Sequence, residues 1–232
     1  LNDRDVIIPT GVGTGIKFNC GKANTDAVLG TYELPLQNLL SNRLKPGDIF
    51  YDIGANVGFF TAIAAKLVTA TGKVYSFEPV PENAAIVRHN VRQNNFSNVT
   101  IIEKAVSATT GSSKLRLARY AGGHTLSDAD IPPDLKDSLV VEIVSIDRLV
   151  EQKEIAPPTV VKVDVEGAEL DVLRGMTQTI SQFKPTIIYE VDDANKKSLL
   201  VKRQKIDEFL QDFDYKIELL DNSYSEIAWN VE

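Results

Sequence analysis

The sequence predicts an α/β domain in which helices cover both faces of a mostly parallel β-sheet. Short apolar runs alternate with stretches of helical periodicity, the pattern of strands connected by crossover helices. One of these strands leads directly into a glycine-containing turn and a helix. The length of 232 residues suits one domain with a sizeable core. We therefore expect a short cap at residues 1–45 and a single domain at residues 46–232.

The individual elements follow from the apolar runs and their spacing. Phe60, Ile63, Ala64 and Leu67 recur at i, i+3, i+4 and i+7, which predicts a helix that ends before Gly72. The predicted strands cover residues 48–53, 74–77, 99–103, 159–165 and 186–189, with closing strands at 215–220 and 226–231. Further helices are predicted near residues 34–44, from Pro81 to the turn at 94–98, from about Ala168 to Gly175, and from about Asn195 to Phe213.

Residues 107–145 depart from this alternation of strands and helices. Residues 113–119 alternate apolar and polar side chains, the run 139–144 again resembles a strand, and pairs of glycines and prolines lie between them. This segment predicts extra strands joined by a mobile loop. Loops on a rigid scaffold commonly carry binding residues, so we expect a substrate site here.

Composition and charge exclude several classes of protein. The chain has 25 basic and 32 acidic residues and a net charge of −7, which argues against a long nucleic-acid track but leaves a local basic patch open. Cys20 is the single cysteine, so an intrachain disulfide and a cysteine metal cluster are excluded. The sequence contains neither an apolar run of the roughly 18–20 residues that span a membrane nor a signal-peptide pattern at its start. We expect a cytoplasmic protein with no nucleic-acid partner and no membrane span.

The turn from Asp52 to Gly58 is the first candidate ligand site. A strand–glycine–helix arrangement lets a ligand approach the backbone, although a purely structural turn has the same pattern. The dinucleotide fingerprint requires glycine at positions 54, 56 and 59, where this chain has Gly54, Asn56 and Phe59. The Asp52 carboxylate would also repel a pyrophosphate. S-adenosylmethionine has no phosphate and carries a carboxylate, an amine and a sulfonium, so it suits the loop of Asp52, Gly54, Asn56 and Gly58 better.

Glu78 is the second candidate. It follows Gly58 by 20 residues (78 − 58) and ends the next predicted strand. An acid at this position accepts ribose hydroxyls in nucleoside-binding α/β folds. The alternative is a solvated carboxylate at a strand end.

Three stretches of the sequence carry a resemblance to a known family. They are YDIGANVG at 51–58, FEP at 77–79 and KVDVEGAE at 162–169. With these, the chain resembles the FkbM-type methyltransferases over roughly residues 30 to 190. The resemblance implies a Rossmann-like, seven-stranded class I methyltransferase sheet whose last strand is antiparallel. It also implies S-adenosylmethionine-dependent transfer of a methyl group, commonly to a hydroxyl of a small molecule such as a sugar or a polyketide.

Charged residues end the strand predicted at 159–165. Lys162, Asp164 and Glu166 share one face of an extended chain and need mutual pairing or a ligand. The resemblance implies that Asp164 lies beside the methionine part of the cofactor; the alternative is an internal Lys162 ion pair that anchors the next helix. The resemblance also carries over Glu33 as a contact to the cofactor amine, with a solvated acid at a helix start as the alternative.

Four further residues complete the predicted site. Ala105 and Val106 follow the third strand, where small and apolar residues either flank adenine or pack in the core. Glu190 ends a strand at the same edge and would orient an acceptor hydroxyl. His124 lies in a glycine-flanked loop and would accept a proton near neutral pH, although loop histidines without a function are more common. Asp164, Glu190 and His124 are therefore the candidate catalytic residues.

Two other functions remain open at this point. A nicotinamide-dependent oxidoreductase would share the fold class, but Asn56, Phe59 and Asp52 count against it. A module that binds the cofactor without chemistry would share the site. The two histidines of the chain do not accompany paired acids, so we expect no histidine-rich metal site, while an all-oxygen Mg²⁺ site stays open.

Overall fold

A computed structural model of the protein describes residues 4–118, 125–126, 135–191 and 195–220. In chain order, the strands are β1 (Val6–Ile7), β2 (Lys17–Phe18), β3 (Ile49–Ile53), β4 (Lys73–Phe77), β5 (Val99–Ile102), β6 (Ala105–Val106), β7 (Gly111–Ala118), β8 (Thr125–Leu126), β9 (Leu135–Val144), β10 (Val160–Val163) and β11 (Thr186–Tyr189). The helices are α1 (Asp26–Leu29), α2 (Leu34–Arg43), α3 (Phe59–Val68), α4 (Pro81–Gln93), α5 (Ile146–Glu151), α6 (Glu169–Arg174), α7 (Thr177–Phe183) and α8 (Lys196–Gln211). The predicted alternation of strands and helices is confirmed.

The central sheet contains five parallel strands in the order β11–β10–β3–β4–β5. β3 lies in the middle, with β4 and β5 on one side and the two late strands on the other. Open α/β sheets form their ligand crevice where the chain switches sides in this way, at the carboxyl ends of the strands. Here that point lies between β3 and β10, whose last residues, Ile53 and Val163, are partners in the ladder.

Helices cover both faces of this sheet, as predicted. Phe50 and Val160 pack in one buried cluster with residues of α2 and α3. Their neighbours Tyr51 and Val161 belong to a second buried cluster, which includes residues of α5, α6, α7 and α8. Because successive side chains of a strand point to opposite faces, each apolar strand contributes to both cores.

A second sheet has the strand order β6–β9–β7–β8. Its main part is the antiparallel pair of β7 and β9, which runs from Gly111 opposite Ile143 to Ala118 opposite Leu135. This pair confirms the extra strands predicted within residues 107–145. Much of the predicted loop between them, including His124, lies outside the described residues.

The N-terminal segment packs into the main core. β1 and β2 form an antiparallel pair. Ile8, Ile16 and Phe18 of this segment are buried in the same cluster as the residues of α3. The predicted cap thus contributes apolar side chains to one side of the central sheet.

Two asparagines, one in α4 and one directly after it, hold β2 in place. Asn94 accepts a hydrogen bond from the Lys17 backbone N–H (2.9 Å) and donates to the Lys17 carbonyl (2.6 Å). Asn90 does the same with Asn19, at 2.8 and 2.9 Å. The Asn90 side chain also donates to the Val57 carbonyl (3.0 Å), and it thereby connects β2 to the loop before α3.

The C-terminal part differs from the prediction. Residues 215–220 form no strand, and the Tyr215 hydroxyl instead donates to the Pro185 carbonyl ahead of β11 (2.8 Å). Residues 226–231 lie outside the described part of the chain, so the seven-strand count stays a prediction. Gly175 ends α6 as predicted, but with a φ of −73° rather than a left-handed one. A Cβ there would lie 2.1 Å from the Ser107 carbonyl oxygen, so close packing accounts for this glycine.

Candidate functional site

A pocket opens at the carboxyl ends of the central strands. It brings together seven of the predicted site residues: Gly54, Asn56, Glu78, Ala105, Val106, Asp164 and Glu190. The space between the lining residues is about 860 Å³ with the open mouth included. The pocket lies where the sheet topology places a ligand crevice.

The glycine turn forms the floor of this pocket. The backbone N–H groups of Gly54 and Ala55 both donate to the Phe77 carbonyl, at 3.1 and 3.0 Å, so the turn is attached to the end of β4. Gly54 has a φ of +81°, and a Cβ there would lie 1.8 Å from the Asp164 carbonyl oxygen. The need for glycine therefore comes first from the neighbouring backbone, and not only from space for a ligand as the sequence suggested.

Gly58 lies farther from the pocket than predicted. It precedes α3 with a φ of +82°, and a Cβ there would lie 3.0 Å from the Val87 side chain. Gly58 is buried, and the pocket lining does not include it. Its role in the structure is to let α3 begin close to α4.

Glu78 is a buried carboxylate held by backbone amides. Its side chain is 5% exposed, and its two oxygens accept hydrogen bonds from the N–H groups of Asn56 (2.8 Å) and Val80 (2.9 Å). Burial raises the pKa of Glu78 to about 7, although hydrogen bonds from Val80, Asn56 and Asn83 oppose this rise. A carboxylate has about four acceptor positions, so these contacts leave capacity for a ligand's hydroxyls.

Asn56 presents an acceptor without a partner. Its φ of +50° is in the left-handed region, which asparagine tolerates better than most residues. This conformation directs its N–H at Glu78, while its side-chain oxygen Oδ1 is buried and has no hydrogen-bond partner among the described residues. Buried polar atoms are normally satisfied, so this oxygen is an exception that the described contacts do not explain.

A buried lysine lies between two aspartates on the other side of the turn. Lys162 is 4% exposed, and its Nζ donates to Asp164 Oδ2 at 2.9 Å and lies 3.8 Å from Asp52 Oδ1. The Nζ also lies 5.3 Å from the centre of the Phe60 ring. Burial lowers the pKa of Lys162, but Asp164, Asp52 and Glu33 together raise it above its ordinary value. Lys162 is therefore a cation over the whole physiological range.

Asp52 does not reach the pocket, contrary to the sequence prediction. It is 1% exposed and accepts a hydrogen bond from the Thr61 hydroxyl of α3 at 2.6 Å. The physical reason is strand alternation, because Asp52 shares the face of Phe50 and is covered by α3. Burial raises the pKa of Asp52 above its ordinary value, while Lys162 and Thr61 oppose this rise.

Asp164 does reach the pocket. It follows β10, its backbone N–H donates to the Ile53 carbonyl (3.0 Å), and its side chain is 26% exposed. The next residues turn sharply, with φ values of +52° at Glu166 and +96° at Gly167. The Gly167 N–H donates to the Glu169 carboxylate (2.7 Å), so Glu169 holds this turn.

The apolar wall and the mouth of the pocket come from other elements. Ala105 and Val106 form β6 and are buried in the wall, with Phe77 and Leu115 beside them. Glu190 follows β11 at the mouth, where it is exposed to solvent. His124, the other candidate base, lies outside the described residues.

Tyr32 is a pocket residue that sequence reasoning missed. Its ring contacts the rings of Phe59 and Phe60, and its hydroxyl is hydrogen bonded to Glu33. Burial and then the nearby carboxylates of Glu33, Asp164 and Glu190 raise the pKa of Tyr32, so its hydroxyl stays protonated. Glu33 itself is half-buried and precedes α2 with a φ of +45°. Glu33 is not part of the pocket lining, and it acts on the site by its hydrogen bond with Tyr32 and by its negative charge near Lys162.

Metal sites and membrane helices are absent from the part of the chain that the structure describes. None of its His, Cys, Asp and Glu residues form a group of three or more that is arranged to hold a metal ion. No helix within the same ranges is both long and apolar enough to cross a membrane.

The parallel sheet, the glycine turn and the pocket at the strand ends define the Rossmann-like class of α/β proteins. Within this class the chain belongs to the methyltransferase FkbM domain family, whose model matches residues 52–217. The matched range contains the ends of β3 and β10, between which the crevice lies, together with Glu78, Asp164 and Glu190.

The relatives include enzymes that act on different small molecules. The chain is 30% identical over 152 residues to the hexuronic acid methyltransferase AglP of Haloferax volcanii, covering 65% of this chain and 59% of AglP. It is 26% identical over 180 residues to the 31-O-demethyl-FK506 methyltransferase FkbM of Streptomyces tacrolimicus, covering 66% of this chain and 68% of that protein. The chain thus spans about three fifths to two thirds of the length of these relatives.

A solved structure supports the fold. The crystal structure of a precorrin-6y C5,15-methyltransferase from Geobacter metallireducens GS-15 matches with a TM-score of 0.52 and 16% identity, over 84% of this chain and 78% of that one. At this identity the similarity concerns the fold alone.

Proposed function

We propose that the protein is an S-adenosylmethionine-dependent methyltransferase that methylates a hydroxyl oxygen of a small molecule such as a sugar or a polyketide. The observation that carries the proposal is that Glu78 and Asp164 face one pocket from two strand ends, with the glycine turn between them. Membership of the FkbM domain family and the substrates in the names of two relatives agree with it.

The residues present fit this cofactor. Glu78 would accept the ribose hydroxyls, and the apolar wall of Ala105 and Val106 would flank the adenine. Asp164, with Glu33 behind it, would attract the cationic amine of the methionine part.

The protein's own residues would act mainly by positioning. When bound, the cofactor supplies a methyl group on a sulfonium, which is already a good leaving group. The pocket then has to hold the acceptor oxygen in line with that methyl group. Such alignment is the main way in which binding geometry lowers the barrier to this displacement. Glu190, at the mouth, would orient the acceptor hydroxyl, and a base among Glu190, His124 and Asp164 would take its proton.

Two finer features of the fold belong to the same proposal. We infer that residues 1–45 act as a cap beside the pocket, since Tyr32 of this segment lines it. We also infer that the complete sheet has seven strands, two more than the five that the described residues form. A crystal structure of the protein with S-adenosylhomocysteine tests both statements.

Binding and turnover distinguish this function from its alternatives. We expect S-adenosylmethionine and S-adenosylhomocysteine to give measurable heats in isothermal titration calorimetry, and NAD to give none. Release of S-adenosylhomocysteine in a screen of hydroxylated sugars and polyketides then separates an enzyme from a binding module. Binding of NAD instead of S-adenosylmethionine would support an oxidoreductase and refute the proposal.

Once an acceptor is known, the candidate bases can be compared. If the His124 imidazole is the base, His124→Ala should lower turnover about 10²–10⁴-fold with nearly unchanged cofactor affinity. Glu190→Gln is the parallel variant for the strand end. A large loss of turnover in Glu190→Gln with none in His124→Ala assigns the proton transfer to the edge of the sheet. If neither variant loses turnover, the reaction depends on positioning alone or on Asp164 as the base.

A further inference from the structure

We propose that Lys162 is a positioning residue, which holds the Asp164 carboxylate in the pocket and directs it at the cationic end of the ligand. The inference rests on the proposed function, and it assigns a role to a residue that does not itself line the pocket. It concerns the methionine half of the ligand only.

The hydrogen-bond geometry distinguishes the two aspartates. Lys162 and Asp52 are direct partners in the ladder of β10 and β3, which is the position where a purely structural ion pair would form. The distance from Nζ to Asp52 Oδ1 is nevertheless 3.8 Å, too long for a hydrogen bond, and that oxygen has no hydrogen-bond partner among the described residues. The direct hydrogen bond of 2.9 Å goes to Asp164, beyond the end of the strand.

The surroundings of Lys162 favour this choice. The Thr61 hydroxyl donates to the second oxygen of Asp52, so Asp52 is held without the lysine. The Phe60 ring, whose centre lies 5.3 Å from the Lys162 Nζ, restricts where the ammonium can lie. A buried ammonium fixed in this way aims one carboxylate oxygen of Asp164 at itself, while the side chain remains 26% exposed toward the pocket.

Charge balance gives the second argument. Asp52, Asp164 and Glu33 all face the Lys162 ammonium, and Asp164 also faces Glu169 and the neutral Tyr32 hydroxyl. Glu78 faces Asp52 from the other side of the turn. Without the ammonium, several carboxylates would lie close together in a poorly solvated place, and protonation of one or more of them would relieve the repulsion. Lys162 thus supplies the positive charge that balances these carboxylates.

The test compares two ligands that share adenosine and differ in the methionine part. S-adenosylhomocysteine and adenosine are titrated into the wild-type protein and into Lys162→Met by calorimetry. The affinity for S-adenosylhomocysteine should fall about 10- to 100-fold, which is the usual effect of losing a charge-assisted contact. The affinity for adenosine should stay within about twofold, because the Glu78 half of the pocket is unchanged.

The pH profile adds a readout that a merely structural lysine would not change. At each pH, the affinity of Lys162→Met for S-adenosylhomocysteine is divided by that of the wild type, so that the titration of Glu78 cancels. This relative loss of affinity should be larger at about pH 6 than at about pH 8. Lys66→Met is the matched control, because Lys66 is exposed and its Nζ donates to the Thr14 carbonyl (2.8 Å) away from the pocket. Both affinities should stay close to wild type in that variant.

A second variant keeps the test valid if Lys162→Met does not fold. The double variant Lys162→Met with Asp52→Asn removes the fully buried carboxylate that would lack its counter-charge, and it should show the same selective loss. Equal losses for both ligands, or no loss for S-adenosylhomocysteine, would overturn the role of Lys162. If the wild type binds neither ligand, the proposed function fails and this inference fails with it.

Discussion

Glu78 and Asp164 end strands on opposite sides of β3, and the protein stabilises the two carboxylates by different means. Glu78 accepts hydrogen bonds from two backbone N–H groups, and no lysine or arginine pairs with it among the described ion pairs. Asp164 accepts a hydrogen bond from the Lys162 ammonium and is partly open to the pocket. The difference matches the ligand parts that we assign to them, since ribose hydroxyls are neutral and the amine of the methionine part is a cation.

The comparison teaches how a small pocket keeps two acids independent. Backbone dipoles stabilise Glu78 only partly, and burial leaves its pKa at about 7. A full positive charge stabilises the acids on the other side, where Lys162 remains charged. Changes on one side should therefore have measurable effects that the other side does not share.

The largest effect is expected where the two sides meet. Gly54→Ala places a Cβ 1.8 Å from the Asp164 carbonyl oxygen at a φ of +81°, so we expect the free energy of unfolding to fall by more than about 3 kcal/mol. Gly15→Ala is the matched control, because Gly15 has a φ of +86° with nothing within 4 Å of its Cβ position, and it should cost only about 1–2 kcal/mol. Urea denaturation of both variants measures the difference, and equal costs would refute the close approach of the two strand ends.

The next effect concerns pH and stability on the Glu78 side alone. Because the folded pKa of about 7 exceeds the ordinary glutamate value of 4.5, the folded state binds the proton more tightly. Stability from this group is fully present below about pH 4.5 and is lost as the pH rises to about 7, by about 2–3 kcal/mol at most. Unfolding free energies at several pH values should show this loss in the wild type and not in Glu78→Gln. Parallel pH profiles for the two proteins would contradict it.

A smaller effect is expected for ligand binding on the same side. Glu78→Ala should weaken S-adenosylhomocysteine and adenosine alike by about 1–3 kcal/mol, because both ligands carry the ribose hydroxyls that would lose their acceptor. Glu82→Ala, at an exposed acid in the first turn of α4, is the control. Calorimetry that finds unchanged affinity in a folded Glu78→Ala protein removes Glu78 from the site.

The smallest effect is expected at Tyr32. Tyr32→Phe removes the hydroxyl that bonds Glu33 but keeps the ring contacts with Phe59 and Phe60. We expect S-adenosylhomocysteine binding to weaken by about 0.5–1 kcal/mol and adenosine binding to stay the same. A loss shared by both ligands would show that Tyr32 acts on the whole pocket rather than on the Asp164 side.

The order of elements and the position of the pocket could be predicted from sequence because each depends on local pattern. Apolar runs gave the central strands, and the alternation of Phe50 and Tyr51 explains how one run serves two cores. Glu78, Ala105 and Asp164 follow the parallel strands β4, β5 and β10, and the carboxyl ends of parallel strands meet at one edge of a sheet. The pocket follows from that rule.

Other features depend on contacts between distant residues, which sequence spacing does not report. Asp52 was expected at the ligand, but α3 covers its side of the strand and Thr61 binds it. Tyr32 enters the pocket from a segment that precedes the sheet, so no strand-end rule points to it. The sequence marked Tyr32 only through the family resemblance, which begins near residue 30.

Asn90 of α4 and Asn94, which follows it, bind the backbone of Lys17 and Asn19 as a neighbouring strand would. Four residues of helix rise about 6 Å and two residues of strand about 6.6 Å, so side chains at i and i+4 match backbone groups at i and i+2. The pairing with Lys17 and Asn19 therefore works in only one alignment, and deletion of a single residue in β2 would break these hydrogen bonds. Asn90 also bonds the Val57 carbonyl. A shift of β2, about forty residues before Val57 in the chain, would therefore also displace the turn that carries Asn56.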